Sequence, residues 1–209
     1  QLVLYLKYSI LIREWFKEAQ IQVPELVDET IYYLGQGYAF IWKNIEADVL
    51  FNGNNLSNHS EFDHYLKRFG YKFKNESKEC GGYTILKNKK ISLIMDVGPS
   101  PATKFSKNYQ SGALSFELIS NGKKLISNCG YYSNKNPKLN QLSKSTASHS
   151  TLIIDDTSSS RYKKSNKINS AVVEGLKILK KNIIFEKNYW KINASHNGYL
   201  KKYNSIHER

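Results

Sequence analysis

Cysteine is scarce in this sequence: Cys80 and Cys129 are its two, and neither belongs to a Cys-x-x-Cys pair. That argues against a zinc ribbon or a disulfide-built scaffold. A single bridge between the two in an oxidising compartment and a pair of free buried thiols both remain open. Long apolar runs are missing too. A helix needs about 18 uninterrupted apolar residues to span a bilayer, and in residues 1–20 Lys7, Arg13, Glu14, Lys17 and Glu18 break the run. No unit of some tens of residues recurs, which excludes a solenoid. Acidic side chains are few, 18 against 31 basic ones, for a formal charge of +13. No compact run of basic residues interleaved with aromatics accompanies that surplus, so a nucleic-acid footprint is not expected. The charge reads either as a solvated lysine coat or as attraction to a polyanion.

The 209 residues suffice for a proper core, in one or two domains. The chain starts on Gln1, stops inside a motif at Arg209 and shows no leader pattern, and we read it as an internal piece of a longer protein. Leu2, Val3, Leu6, Ile10, Trp15 and Phe16 recur at helical spacing. Pro24 opens a second helix that runs to about Asn44 through Val27, Ile31, Leu34, Tyr38 and Ile41. Gly35 and Gly37 interrupt its middle, which predicts close packing against a neighbour. A third helix is expected over Phe62–Phe69, with His59 and His64 near it as ordinary surface residues.

From Gly81 the period changes to two. Strands are predicted over Gly82–Leu86, Ile91–Asp96, Ala113–Ile119, Lys123–Ser127, Thr151–Ile154, Ala171–Leu179, Ile183–Glu186 and Tyr189–Ala194. Asn121-Gly122 supplies the positive φ angles of a tight hairpin; Asn88 and Lys181-Asn182 are expected to form further corners. Thr157–Asn169 reads as a polar loop. Strands at this spacing, with no helical pattern between them, indicate an antiparallel sandwich. The fold class is therefore α+β, with a helical part over residues 1–78 and a sandwich over 79–209 that the chain end truncates.

Several words of the sequence resemble the heparinase II/III-like polysaccharide lyases. They are ALSFELISNGKKLISNCG, STASHSTLIIDDTSSS and the terminal SHNGYLKKYNSIHER, with LFNGNN, GGYTIL and LIMDVGPSP upstream in matching order. The resemblance extends over about residues 40–209. It implies that the first helices close an α/α toroid, and that an acidic polysaccharide is cleaved by β-elimination in a groove between toroid and sandwich. A uronic acid's C5 proton leaves only once the neighbouring carboxylate is offset. The chemistry then needs an amide, a cation or a metal at the carboxylate, a base at C5 and an acid at the departing oxygen. Most of the toroid, with the residues that do much of this, would precede Gln1.

His149, His196, His207 and Arg209, with Asp155, Asp156 and Tyr199 nearby, are the polar positions that stand out, since histidine suits both proton transfer and metal binding. The resemblance assigns His196, Tyr199, His207 and Arg209 to the site as candidate catalytic residues. It places Asn108 and Gln110 where well-studied members carry histidines, making these two candidate substrate contacts, and Gly112 where they carry an aspartate. Gln110, Asn128 and His149 fall on the family's zinc-ligand positions. Two of those three are amides here, poor substitutes for Cys, His or carboxylate, so zinc is not expected and a neutral hydrogen-bonded cluster is. The expected partner is acidic polysaccharide, with no nucleic acid and no membrane span. Periplasmic or secreted placement follows if the protein is a lyase. The alternative is a non-catalytic glycan-binding or assembly protein that kept the fold.

Overall fold

The apolar spacing of the first forty residues becomes two antiparallel helices, α1 (Leu2–Glu18) and α2 (Glu25–Tyr38). In the computed structural model, which describes residues 1–43, 45, 48–54, 60–132, 136–163, 170–186 and 189–209, these helices bury Leu6, Ile10, Ile31 and Tyr38. Phe62 and Leu66 of α3 (Ser60–Arg68) complete that core. Glu25 and Asp28 occupy the first turn of α2, where the helix dipole favours acids, and Asp28 also pairs with Arg13 at 2.5 Å. A Cβ on Gly35 would collide with the ring of Phe73, so this glycine admits an aromatic ring against the helix backbone. Beyond Tyr38 the helix continues as a π-turn over Ala39–Lys43; Asn44 and His59 lie outside the described residues. No helix among them is long and apolar enough to cross a membrane.

The chain divides into two compact units, Gln1–Ala47 with Ser57–Cys80, and Asp48–Leu56 with Gly81–Arg209. The first ends in a two-residue strand, β1 (Glu79–Cys80). In the second, β2 (Tyr83–Lys87), β3 (Ile91–Asp96), β4 (Phe116–Ser120) and β5 (Lys123–Ile126) lie side by side in sequence order, all antiparallel. Asn88 closes the β2–β3 corner by accepting from the Lys90 and Ile91 amides. Asn121 and Gly122, at φ 48° and 75°, close β4–β5.

The second sheet orders β10 (His207–Glu208), β9 (Trp190–His196) and β8 (Ile178–Phe185); β6 (Arg161–Tyr162) and β7 (Val172–Glu174) form a small ribbon. Met95, Val97 and Leu114 from the first sheet and its approach meet Ala194 in one core, with Phe116, Ile178 and Ile192 against it. Two sheets sharing an interior make the unit an antiparallel sandwich, so the fold is helices followed by a sandwich.

The structure corrects the sequence reading at several places, among them the loop expected over Thr157–Asn169, which contains β6. Thr151–Ile154 is no strand: Asp155 and Asp156 both adopt left-handed φ, 45° and 53°, and leave only an isolated bridge from Ile154 to Thr157. The β4 strand begins at Phe116 rather than Ala113, because Leu114 has a φ of 59° and turns the chain. Lys181 and Asn182 lie inside β8, paired with Ala194 and Asn193. Polar residues there reflect an edge strand exposed to water; residues 187–188 lie outside the described set. Finally, helices do occur after Gly81: α4 (Pro137–Lys144) and the single turn α5 (Leu200–Tyr203). Asn136 caps α4 by accepting from the Lys138 amide, ahead of Pro137 at the first helical position.

Both cysteines are free thiols, Cys80 half-buried and Cys129 exposed.

Candidate functional site

The turn Asn52-Gly53 organises one end of the sandwich, with φ of 39° and 92°. Asn52 Nδ2 donates to Asp96 Oδ2 at 3.0 Å and to the Tyr83 hydroxyl at 2.6 Å, while its Oδ1 accepts from the Gln110 amide at 3.1 Å. Asp96 ends β3 and also accepts from the Gly98 amide. Burial nevertheless pushes its carboxyl up to about 7, against those two donors.

Gln110 is fully engaged. Its Oε1 accepts from the Gly53 amide at 3.1 Å, and its Nε2 donates to the carbonyls of Gly130 (2.9 Å) and Ser143 (2.6 Å). With 1 % exposure it holds a turn, a strand exit and α4 in register, and no part of it is left for a ligand. Asn108, two residues earlier, is half-buried. The Tyr131 hydroxyl donates to its Oδ1 at 3.3 Å, and its Nδ2 makes no hydrogen bond to the described residues. A Cβ on Gly53 would lie 2.9 Å from Asn108 Cβ, so only glycine admits Asn108 there at that backbone angle. Beside it Lys144, 3 % exposed, donates to the carbonyls of Lys107 and Ser170 and lies near the faces of Tyr131 and Tyr162. Burial without a carboxylate partner lowers it to about 8.

Asn128 and His149 meet through Ser150. The Ser150 amide donates to Asn128 Oδ1 at 3.0 Å, and the Asn128 amide donates to Glu117 Oε1 at 2.9 Å. Glu117 is wholly buried and pairs with Lys124 at 3.0 Å. The His149 ring lies against Gly112, where a Cβ would come 3.1 Å from its Cγ. Desolvation lowers His149 to about 4, with a bond to the Ser143 backbone opposing, so the ring is neutral. His149 Nε2, Asn128 Nδ2 and Ser115 Oγ are buried without partners.

Of the three family zinc positions, Gln110 has no free donor, Asn128 offers an amide N–H₂, and only the His149 ring nitrogen could ligate. Among the described residues no group of three or more His, Cys, Asp or Glu could hold a metal ion. Zinc does not fit this set.

The terminal motif forms a separate clasp. His196 Nδ1 accepts from the Gly198 amide at 3.0 Å, so its proton is assigned to Nε2, which lies 3.0 Å from His207 Nδ1. Tyr199, 1 % exposed, donates to the Leu152 carbonyl at 2.7 Å. Arg209 Nη1 donates to the carbonyls of Leu114 (2.9 Å) and Ser150 (2.8 Å) above the Phe116 ring. Burial lowers His196 to about 4 and His207 in the same direction.

The six candidate catalytic and substrate-binding residues therefore form two groups. Asn108 and Gln110 share the Asn52-Gly53 turn. Tyr199 and Arg209 grip the segment that follows His149, His196 and His207 pair with each other behind them, and Ser150 links the clasp to Asn128. Sequence reasoning passed over Asn52, Asp96, Glu117, Lys144 and Ser150. Asp96 at the end of an apolar strand and Asn52 in a positive-φ turn were the available signals.

Residues 76–209 match the family model described as heparinase II/III-like, C-terminal. The chain belongs to that family. Among solved structures, a mutant of the heparan sulfate lyase HepC from Pedobacter heparinus superposes with a TM-score of 0.65 at 14 % identity, covering 100 % of this chain and 36 % of that one. A heparinase III superposes with a TM-score of 0.63 at 16 % identity, covering 89 % of this chain and 30 % of its own. The chain thus spans about a third of the length of these proteins. No curated protein sequence matches it significantly.

Proposed function

We propose that the chain is the sugar-holding part of a polysaccharide lyase that cleaves uronic-acid-containing polysaccharide by β-elimination. Membership of the heparinase II/III-like family over residues 76–209 carries this reading. In it, the uncommitted Nδ2 of Asn108 donates to the substrate carboxylate, and Gln110 positions Asn108 without touching sugar. An amide donor of this kind offsets charge that builds at the carboxylate as the C5 proton leaves. Tyr199 and Arg209 act as positioning residues that fix the segment after His149, and the His196–His207 pair holds together the strands that precede and carry them.

Burial holds His149 and His196 near 4, so both rings are poor proton acceptors shielded from solvent, and neither suits the role of base. We assign base and acid to residues of a complete helical toroid, of which α1 and α2 are the last members. Leu4, Tyr5, Tyr8, Trp15, Tyr32 and Tyr33 are exposed on these helices, which supports further helices covering them.

A second reading, a glycan-binding or assembly protein on the lyase fold, is favoured by the amides at positions 110 and 128. Incubation with a panel of uronic-acid polysaccharides, followed by ultraviolet absorbance of unsaturated ends, separates the two. A form that includes a complete helical domain should raise the absorbance, and the 209-residue chain should bind without turnover. Binding by both forms with no rise selects the second reading; binding by neither overturns both.

A further inference from the structure

Asparagine is followed by glycine three times in the sequence, at Asn52-Gly53, Asn121-Gly122 and Asn197-Gly198. The dipeptide is chemically labile, because glycine has no side chain to keep its amide nitrogen from the preceding Cγ. Attack by that nitrogen requires an N–H free of hydrogen bonds and a carboxamide free to turn. The fold withholds both at two of the pairs. Asn52 spends its carboxamide on Asp96, Tyr83 and the Gln110 amide, and the Gly53 amide donates to Gln110 Oε1. Asn197 Oδ1 accepts from the Lys177 amide at 2.7 Å, and the Gly198 amide donates to His196 Nδ1. Gly198 is also wedged against Ser159, whose carbonyl oxygen would lie 2.6 Å from a Cβ.

The third pair is open. Asn121 and Gly122 are both exposed at the β4–β5 turn, and a Cβ on Gly122 would meet nothing within 4 Å. Among the described residues the Gly122 amide and Asn121 Oδ1 have no hydrogen-bond partner, and Asn121 Nδ2 has only the Ser120 hydroxyl at 3.5 Å. Asn52 and Asn121 share a left-handed φ, 39° and 48°, so backbone conformation does not separate them. Hydrogen bonding does.

We propose that Asn121 is a site of spontaneous modification, converting to aspartate and isoaspartate while Asn52 and Asn197 stay intact. The Gly122 nitrogen gives its proton to hydroxide and bonds to Asn121 Cγ. The Cγ–Nδ2 bond then breaks, and Nδ2 leaves as ammonia with a proton taken from water. A second water opens the cyclic imide at either carbonyl, giving aspartate or isoaspartate with no change of oxidation state. Isoaspartate puts an extra carbon into the main chain, too long for a two-residue turn that holds Ser120 opposite Lys123. Loosening β5, which lies at the sheet edge, takes Lys124 away from the buried Glu117. The modification is independent of sugar binding at Asn108.

The test incubates the 209-residue chain at mildly alkaline pH and follows it over days by peptide mapping in a mass spectrometer, with an isoaspartate methyltransferase assay alongside. In the folded chain Asn121 should convert at least about tenfold faster than Asn52 or Asn197. In concentrated guanidinium the three rates should converge. The isoaspartate fraction should melt below fresh protein, whereas Asn121→Asp should melt with it, assigning the loss to the lengthened backbone rather than to the new charge. Equal rates at the three pairs in the folded chain, or faster conversion at Asn52 or Asn197, overturn the proposal, as does an aged sample with Asn121 intact. A rate difference that persists in guanidinium places the cause in the neighbouring sequence and overturns it too. An Asn121→Asp chain that melts as low as the aged protein overturns the part that rests on strand register.

Discussion

His196 Nε2 faces His207 Nδ1 at 3.0 Å, and the Gly198 amide on the other His196 nitrogen dictates that the proton between them belongs to His196. A proton added to this pair enters a buried site already filled by a donor from the backbone.

The acid limb of stability follows from that arrangement. His149 and His196 are held near 4, below the ordinary 6.5 of histidine. The unfolded chain therefore binds more protons between these values, and stability present above pH 6.5 is lost as pH falls toward 4. Each ring contributes at most about 3 kcal/mol to that loss. Urea midpoints of the sandwich, followed from pH 7 to pH 4, should fall, and His196→Asn should flatten the fall. An unchanged slope in the variant would show that the pair does not titrate in this window.

Asp96 works in the opposite sense. Its carboxyl is raised from 3.8 to about 7, so the stability it contributes is present below about 4 and lost as pH rises through 7. In the wild type the two trends partly cancel. Asp96→Asn removes one of them and should steepen the loss between pH 6.5 and 4 in the same urea series.

Gln110→Ala strips the Gly53 amide of its acceptor and the Gly130 and Ser143 carbonyls of their amide donor at one stroke. An unsatisfied buried group costs about 1–3 kcal/mol, and partial hydration of the void brings the expected loss to about 3 kcal/mol in all. Gln110→Glu would set a carboxylate against two carbonyl oxygens and should be worse at pH 7 than at pH 4. Equal stability of the two variants across pH would contradict the assigned orientation of the amide.

The chain as it stands should melt at the same temperature with and without a chelator, and carry no stoichiometric zinc by elemental analysis. The double change Gln110→His/Asn128→Asp places two usual ligands beside His149 and should create zinc-dependent stabilisation. A chelator-sensitive melt in the wild type would refute the spent-amide account of Gln110.

Much of the architecture was legible because its signals are local. Asn121-Gly122, Pro24 and the alternation of β3 each specify a backbone state within a few residues, and the structure has them. Gly35 was legible as a contact point, though not the ring of Phe73 that fills it. What failed was non-local or ambiguous: Leu114 turns while its neighbours alternate, and Lys181-Asn182 are polar because β8 is an edge, not a corner. The Asn136-Pro137 start of α4 was readable but hidden in a polar interval. At the site, short words picked out Asn108, Gln110, Asn128 and His149 as positions. Which of them retains a free polar atom depended on Asn52, Gly53 and Ser143, partners far off in sequence that no spacing rule brings together.

The most direct test is nuclear magnetic resonance of the labelled chain titrated with a short uronic-acid oligosaccharide, read at the Asn108 side-chain amide. A sugar carboxylate at this position should shift that resonance together with Tyr131, and Asn108→Ala should weaken binding about tenfold without changing the melting temperature. Shifts spread over the exposed lysines while Asn108 stays still would contradict the account.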